Sequence, residues 1–191
     1  MAEIVATIGT RQAHQPVEVF LVDESHFTNE PYVQRGWFRK GQHVKVPTPT
    51  QRQSTTLFGA LHLRTQRFYW KRAARGTSAR FLEFLHQLHQ RFPAALLILI
   101  LDNATIHKSR AVKRFLRQHD WVPLEPLAPY SPEYKPIERF WRWLKAKVYG
   151  ATAFGTIDDV ISKVRPLIWH SHEGWLRSTI HFDFKDYQSI L

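Results

Sequence analysis

The sequence predicts an α/β domain, a single mixed sheet covered by helices. Three observations carry this. Two apolar runs, residues 17–22 (VEVFLV) and 96–101 (LLILIL), have the length and composition of buried strands. Apolar residues recur at helical spacing in several later segments. The chain has 191 residues, enough for one domain with a real core and too few for two comfortable ones.

The elements follow in order. Residues 1–16 are polar and patternless and read as a linker or a remnant, which leaves 17–191 as the folded domain. The run at 17–22 reads as a strand that stops at Asp23-Glu24. Residues 31–53 hold Gly36, Gly41, Pro47 and Pro49 and read as loop or short hairpin. Residues 56–63 and 66–70 read as two further strands, paired antiparallel. A helix opens at Gly76 with Thr77 or Ser78, buries Phe81, Leu82, Leu85 and Leu88, and ends near Phe92-Pro93. The strand at 96–101 also ends in an acid, Asp102. Residues 109–118 form a short two-faced helix, with Val112, Phe115 and Leu116 on one side and Arg110, Lys113, Arg114 and Arg117 on the other. A brief strand at 121–124 and a proline-rich turn at 123–136 lead into a helix over 136–148. Thr156 and Asp159 cap a last helix that runs to about residue 169. The final twenty residues, with Trp175, Phe182, Phe184 and Tyr187, show no readable pattern.

Composition narrows the functional classes. Without cysteine, disulfides, thiolate zinc sites and cysteine nucleophiles are excluded. The longest apolar run, 94–101, falls far short of the roughly 20 residues a membrane span needs. No secretory leader pattern follows Met1, so a soluble, cytoplasmic protein is expected. Lys plus Arg number 27 against 16 Asp plus Glu, a net charge of +11. That excess suits a polyanionic partner, nucleic acid ahead of an acidic membrane surface. It is also unevenly spread. Residues 31–82 contain no acid, yet hold Arg35, Arg39, Lys40, Lys45, Arg52, Arg64, Arg67, Lys71, Arg72, Arg75 and Arg80. Trp37, Phe38, Phe68, Tyr69 and Trp70 are interleaved with them, as on surfaces that hold phosphates and stack on bases. The plainer reading is a solvated face; so long a run without any acid favours nucleic acid.

Ligands of open α/β sheets gather at the carboxyl ends of the strands. Asp23 and Asp102 each follow a buried strand, and if those strands are neighbours the carboxylates sit side by side. Like charges that close resist ionisation unless a cation joins them. Mg²⁺ and Mn²⁺ prefer oxygen ligands of this kind, and two ions about 4 Å apart can stabilise both the attacking and the leaving oxygen of phosphoryl transfer. Taken singly, each aspartate is better explained by a turn or a helix cap. Glu138 adds a third acid. Pro136 suits a first helical turn, Ile137, Phe140, Trp141, Leu144 and Val148 form the buried stripe, and Glu138 flanks it. Spacing leaves two roles open for Glu138: facing the sheet's edge, or favouring the helix dipole and pairing with Arg142.

In order and content these residues carry a resemblance. Asp23-Glu24 after an apolar strand is followed by Gly36-Trp37 and Gly41, then by Leu101-Asp102-Asn103-Ala104 with His107. Pro129-Tyr130-Ser131-Pro132-Glu133 comes next, with Pro136-Ile137-Glu138, Trp141, Leu144 and Lys145. The pattern resembles the bacterial insertion-sequence branch of the mariner-like transposases with a DDE catalytic domain, and spans residues 17–150. Tyr134-Lys135 departs from it where a pair such as Leu-Asn is expected; neither position is acidic in the family. The resemblance implies a ribonuclease-H-like mixed sheet flanked by helices, with Asp23, Asp102 and Glu138 binding two Mg²⁺ or Mn²⁺ ions. It implies metal-activated water cutting transposon ends, then attack of the freed 3′-hydroxyl on target DNA, commonly at TA dinucleotides, without a covalent enzyme–DNA intermediate. It also implies a homodimer on DNA. Such enzymes carry an N-terminal helix-turn-helix domain, which residues 1–16 are too short to hold. Its absence, or its place on a separate or upstream polypeptide, is therefore expected.

Other residues keep two readings. Glu24 would face the side opposite Asp23 and support the site or the fold. His107 can contact DNA, orient a catalytic group or cap the next helix. The cationic face Arg110, Lys113, Arg114 and Arg117 tracks phosphates or is merely solvated. Trp37, flanked by Arg35, Arg39, Lys40 and Lys45, is a DNA-stacking residue or a loop anchor. His170, His172 and His181 lack zinc-ligand spacing. The competing functions are a catalytically inactive or accessory DNA-binding protein that keeps the fold, and a Holliday-junction or RNA–DNA hybrid nuclease, against which the tyrosine–serine–proline block argues.

Overall fold

The computed structural model describes residues 15–31, 40–41, 45, 48–102, 104–126, 136–149, 154–170 and 178, the side chains of 125 and 126 excepted. The strands are β1 (Val17–Thr28), β2 (Ser54–His62), β3 (Phe68–Ala73), β4 (Leu96–Leu101) and β5 (Leu124–Pro126). The helices are α1 (Ser78–Arg91), α2 (Arg110–Gln118), α3 (Pro136–Tyr149) and α4 (Ile157–Trp169). One five-stranded sheet runs β3-β2-β1-β4-β5. β1 pairs antiparallel with β2, and β2 with β3, while β1–β4 and β4–β5 are parallel.

Alternation along the strands splits the interior into two cores. Val19, Leu21 and Phe27 of β1 with Leu96, Ile98 and Ile100 of β4 pack under α3 and α4. Phe20, Val22, Leu97, Leu99 and Leu101 face α1 and α2. Buried on both faces, the central strands read as continuous apolar runs, which is why residues 96–101 are so plain in the sequence.

Four expectations are corrected. β1 does not stop at Asp23-Glu24 but continues to Thr28, because its antiparallel pairing with β2 persists to Thr28↔Ser54 after β4 has ended at Leu101. Phe84 completes the buried stripe of α1, while Leu82 is only half-buried against the same core. The brief strand lies at Leu124–Pro126 rather than 121–124, since its register on β4 begins at Leu99↔Leu124. β3 starts later and ends later than residues 66–70, following its register from Leu61↔Phe68 to Thr56↔Ala73. The helix caps are as the side chains dictate: Thr77 accepts from Arg80 N, Ser109 from Val112 N, and Thr156 with Asp159 closes a capping box.

Asn29, fully buried just past β1, ties three segments together. Its amide donates to Gln51 O (2.9 Å) and Gly155 O (3.2 Å), and its Oδ1 accepts from Gln53 N (2.8 Å). Asn29→Ala would strand these groups in the interior. It is expected to cost about 3 kcal/mol, measured by urea unfolding; a loss within experimental error would show that water satisfies them.

Candidate active site

β1 and β4 lie side by side and parallel, in register Val22↔Leu101, so the next residues along, Asp23 and Asp102, reach the same end of the sheet together. Alternation directs Asp23 to the face of Val19, Leu21 and Phe27, the face covered by α3. Glu138 stands in the first turn of α3. Its charge bears on Asp23, as do those of Glu24 and Asp102. Burial first, then these neighbouring carboxylates, push the Asp23 carboxyl from 3.8 up to about 7. Among the described residues, no three His, Asp or Glu side chains already converge at metal-binding distance. Asp23 and Asp102 are thus brought to one end of the sheet, with Glu138 in electrostatic reach.

Two basic residues face this negative charge: Lys145, given no role from the sequence, and His107, for which orienting a catalytic group was one of three readings. Lys145 follows Glu138 by seven residues, two helical turns, so both stand on one side of α3. Half-buried over the Phe27 ring (5.3 Å from its centroid), its ammonium has a lowered pKa because burial opposes the charge, an effect that nearby Asp23 partly offsets. The second is His107. Expected among the DNA contacts, it is instead buried, and its side chain, 3% exposed, faces carboxylates rather than solvent. Nor does it cap α2, a role that Ser109 fills. Its Nδ1 lies 3.4 Å from Asp102 Oδ1 and 3.4 Å from Asp102 O, and its Nε2 is 3.5 Å from Glu24 Oε2. Burial alone would strip the ring's proton; Glu24, followed by Asp102, reverses this and raises the pKa above its ordinary value.

Glu24 therefore faces away from Asp23, as alternation requires, and its Oε2 stands at ion-pair distance from His107 without a hydrogen bond. Asp102 is fixed further by Ala104 N, which donates to its Oδ1 at 3.0 Å. Because His107 orients Asp102 rather than touching the surface, His107→Gln should leave DNA affinity intact and lower turnover on the order of tenfold. Electrophoretic binding and cleavage assays on the same preparations separate the two; weakened binding with normal turnover would return His107 to the DNA surface.

The cationic residues proposed for DNA are placed unevenly. Arg110, Lys113, Arg114 and Arg117 are all exposed along the outer face of α2, while Val112 and Phe115 are buried beneath it. Lys40 and Lys45 are exposed; Arg35, Trp37 and Arg39 lie outside the described residues. His170 is exposed, and His172 and His181 lie outside the described residues.

A mixed sheet with helices on both faces, three strands antiparallel and then two parallel, defines a ribonuclease-H-like fold. Solved structures agree on the fold. The Mos1 transposase in its paired-end complex with the left transposon end superposes with a TM-score of 0.66 at 15% identity, covering 99% of this chain and 58% of that one. The HTLV-2 integrase catalytic core domain in complex with magnesium gives 0.51 at 11% identity, covering 82% of this chain and 85% of that one. The chain belongs to the DDE superfamily endonuclease family, whose sequence profile matches residues 18–161. It is 30% identical over 166 residues to the insertion element IS630 uncharacterized 39 kDa protein of Shigella sonnei, a match covering 86% of this chain and 48% of that protein. The chain thus spans about half the length of this relative. No helix among the described residues is long and apolar enough to cross a membrane.

Proposed function

We propose that this chain is the catalytic domain of an insertion-sequence transposase, a divalent-metal-dependent nuclease and strand-transferase acting on DNA. The observation that carries the reading is the side-by-side end of the neighbouring parallel strands that lead into Asp23 and Asp102, with Glu138 in the first turn of the helix packed on the Asp23 face. The residues fit hard cations: the donors are carboxylate oxygens, and the burial and the neighbouring carboxylates that push Asp23 up to about 7 are what a bound cation offsets. Asp23, Asp102 and Glu138 would hold the ions, two in our reading, which when bound supply an activated oxygen nucleophile and charge stabilisation at phosphorus.

The chain's own groups do the rest. His107 and Ala104 N fix the Asp102 carboxylate, and Glu24 holds His107 in turn. Lys145 places a positive charge beside Asp23 and limits the repulsion around it. The exposed cations of α2, with Lys40 and Lys45, offer phosphate contacts that need no base sequence. Recognition of transposon ends falls, in this reading, to a helix-turn-helix region outside residues 17–191, and the active assembly on DNA is a homodimer.

The test is cleavage of supercoiled plasmid in Mg²⁺, Mn²⁺ or EDTA by this chain, Asp102→Asn and Glu138→Gln. Nicking that needs the metal and disappears in both variants is expected. Metal-independent nicking, or variants as active as the parent, would refute the site. Salt-sensitive DNA binding with no cleavage under any condition would favour a domain that binds without cutting.

A further inference from the structure

The C-terminal ends of α1 and α4 and the start of β3 enclose an open groove of about 1020 Å³. It lies along the sheet's free edge, since β3 is the outermost strand. It is also remote from the carboxylates. Both flanking helices begin at the carboxylate end: Ser78 of α1 donates to Ile106 O beside the Asp102 loop, and α4 is joined to the end of β1 through Phe154 N and Asn29 O. Both helices finish at the groove.

Among the described residues its charged lining has one sign. Arg67, Arg91 and Arg165 are exposed, and among the described residues none of the three is in an ion pair. Glu18, the carboxylate whose charge bears on Tyr69, is already held by His62 (2.7 Å) and by Arg64. Aromatic faces accompany the cations. Trp70 is half-buried with the Arg165 guanidinium 5.9 Å from its ring centroid, and Trp169 at the lip is 86% exposed. Unpaired guanidiniums repel a metal ion and penalise an apolar helix, because covering them desolvates charge without a partner. A protein anchor would bury its aromatic in a dry pocket, whereas this indole stands in water among cations. Phosphates with flat, unstacked bases match both halves of the groove.

We propose that this groove binds single-stranded DNA, with Arg67, Arg91 and Arg165 on phosphates and Trp169 stacked on an unpaired base. It is a second nucleic-acid contact, distinct from the carboxylates, and needs no step of their chemistry. Duplex DNA offers the guanidiniums the same phosphates but hides its base faces, so the indole separates the two.

The measurement is anisotropy of a labelled oligothymidylate of about 20 nucleotides, titrated in EDTA against the whole chain, Trp169→Ala, Trp169→Phe and the double variant Arg91→Ala/Arg165→Ala. Trp169→Ala should weaken single-strand binding about tenfold and duplex binding little, and Trp169→Phe should restore most of the loss. The arginine pair should lower the slope of log Kd against log salt by roughly 1.4. The same differences should hold in an Asp102→Asn background, so groove and active site can fail separately. Because all three side chains are exposed, melting curves should match the parent. Unchanged affinity and slope would overturn the proposal, as would equal losses on duplex. So would loss of self-association alone in sedimentation, which would assign the groove to a second copy of the chain.

Discussion

Asp23→Asn should make the protein more stable in EDTA at pH 8, by on the order of 3–4 kcal/mol. The sign follows from the raised pKa. A carboxyl whose pKa goes from 3.8 in the open chain to about 7 in the fold contributes stability that is complete below pH 3.8 and is lost as the pH rises through 7. Above that the fold carries a buried charge facing Glu24, Asp102 and Glu138, with Lys145 as a partial counterweight. An amide of the same shape carries none. Urea unfolding from pH 3.5 to pH 9 should therefore show the parent losing stability relative to Asp23→Asn between about pH 3.8 and pH 7, and a level difference above that. Saturating Mg²⁺ or Mn²⁺ should close the gap from the other side, stabilising the parent and not the variant. Equal stability of the two proteins at pH 8 in EDTA would mean that Asp23 is solvated, and would remove the electrostatic case for a cation there.

The sequence made the acids legible for a simple reason: both follow runs so apolar that only central strands fit them, and the open end of such strands is where polar groups collect. It could not show that β1 passes through Asp23 and goes on to Thr28. Beyond Val22 the alternation of Ser25, His26 and Thr28 is half polar, and what keeps the strand extended there is pairing with β2, a partner more than twenty residues away. The misplaced Leu82 has a different origin. In FLEFL two helical frames bury comparable area, and contact with the sheet, not composition, selects Phe84. The sequence left three readings open for His107 because a histidine five residues after an aspartate carries no mark of burial; its place between Glu24 and Asp102 exists only once β1 and β4 are neighbours. Lys145, named in the resemblance but given no role, was the more accessible one, since its two-turn spacing from Glu138 is readable in the sequence.

Gly59 was given no role in the sequence, and its replacement should be among the most damaging in the core. It lies opposite Asp23 in the β1–β2 register and opposite Trp70 in the β2–β3 register. A Cβ there would stand 2.3 Å from Phe68 Cζ and 2.6 Å from Trp141 Cζ2, so these rings occupy the space a side chain would need. Phe68 in turn stacks on Phe140 (centroids 4.1 Å apart) and meets Trp141 edge to face, so the missing side chain lets α3 settle on the sheet beside the aspartates. Gly59→Ala must push Trp141 outward, and with it the helix that carries Glu138 and Lys145. Overpacking of this kind costs about 1–3 kcal/mol. A displacement of about 1 Å at the reacting groups costs on the order of a hundredfold in rate. Plasmid cleavage should therefore fall much further than stability. Trimming one of the two rings, as in Gly59→Ala/Phe68→Leu, should recover part of both, giving a coupling that two independent losses would lack. If Gly59→Ala cleaves like the parent, the rings yield freely and the seating of α3 does not set the distance between Glu138 and the aspartates.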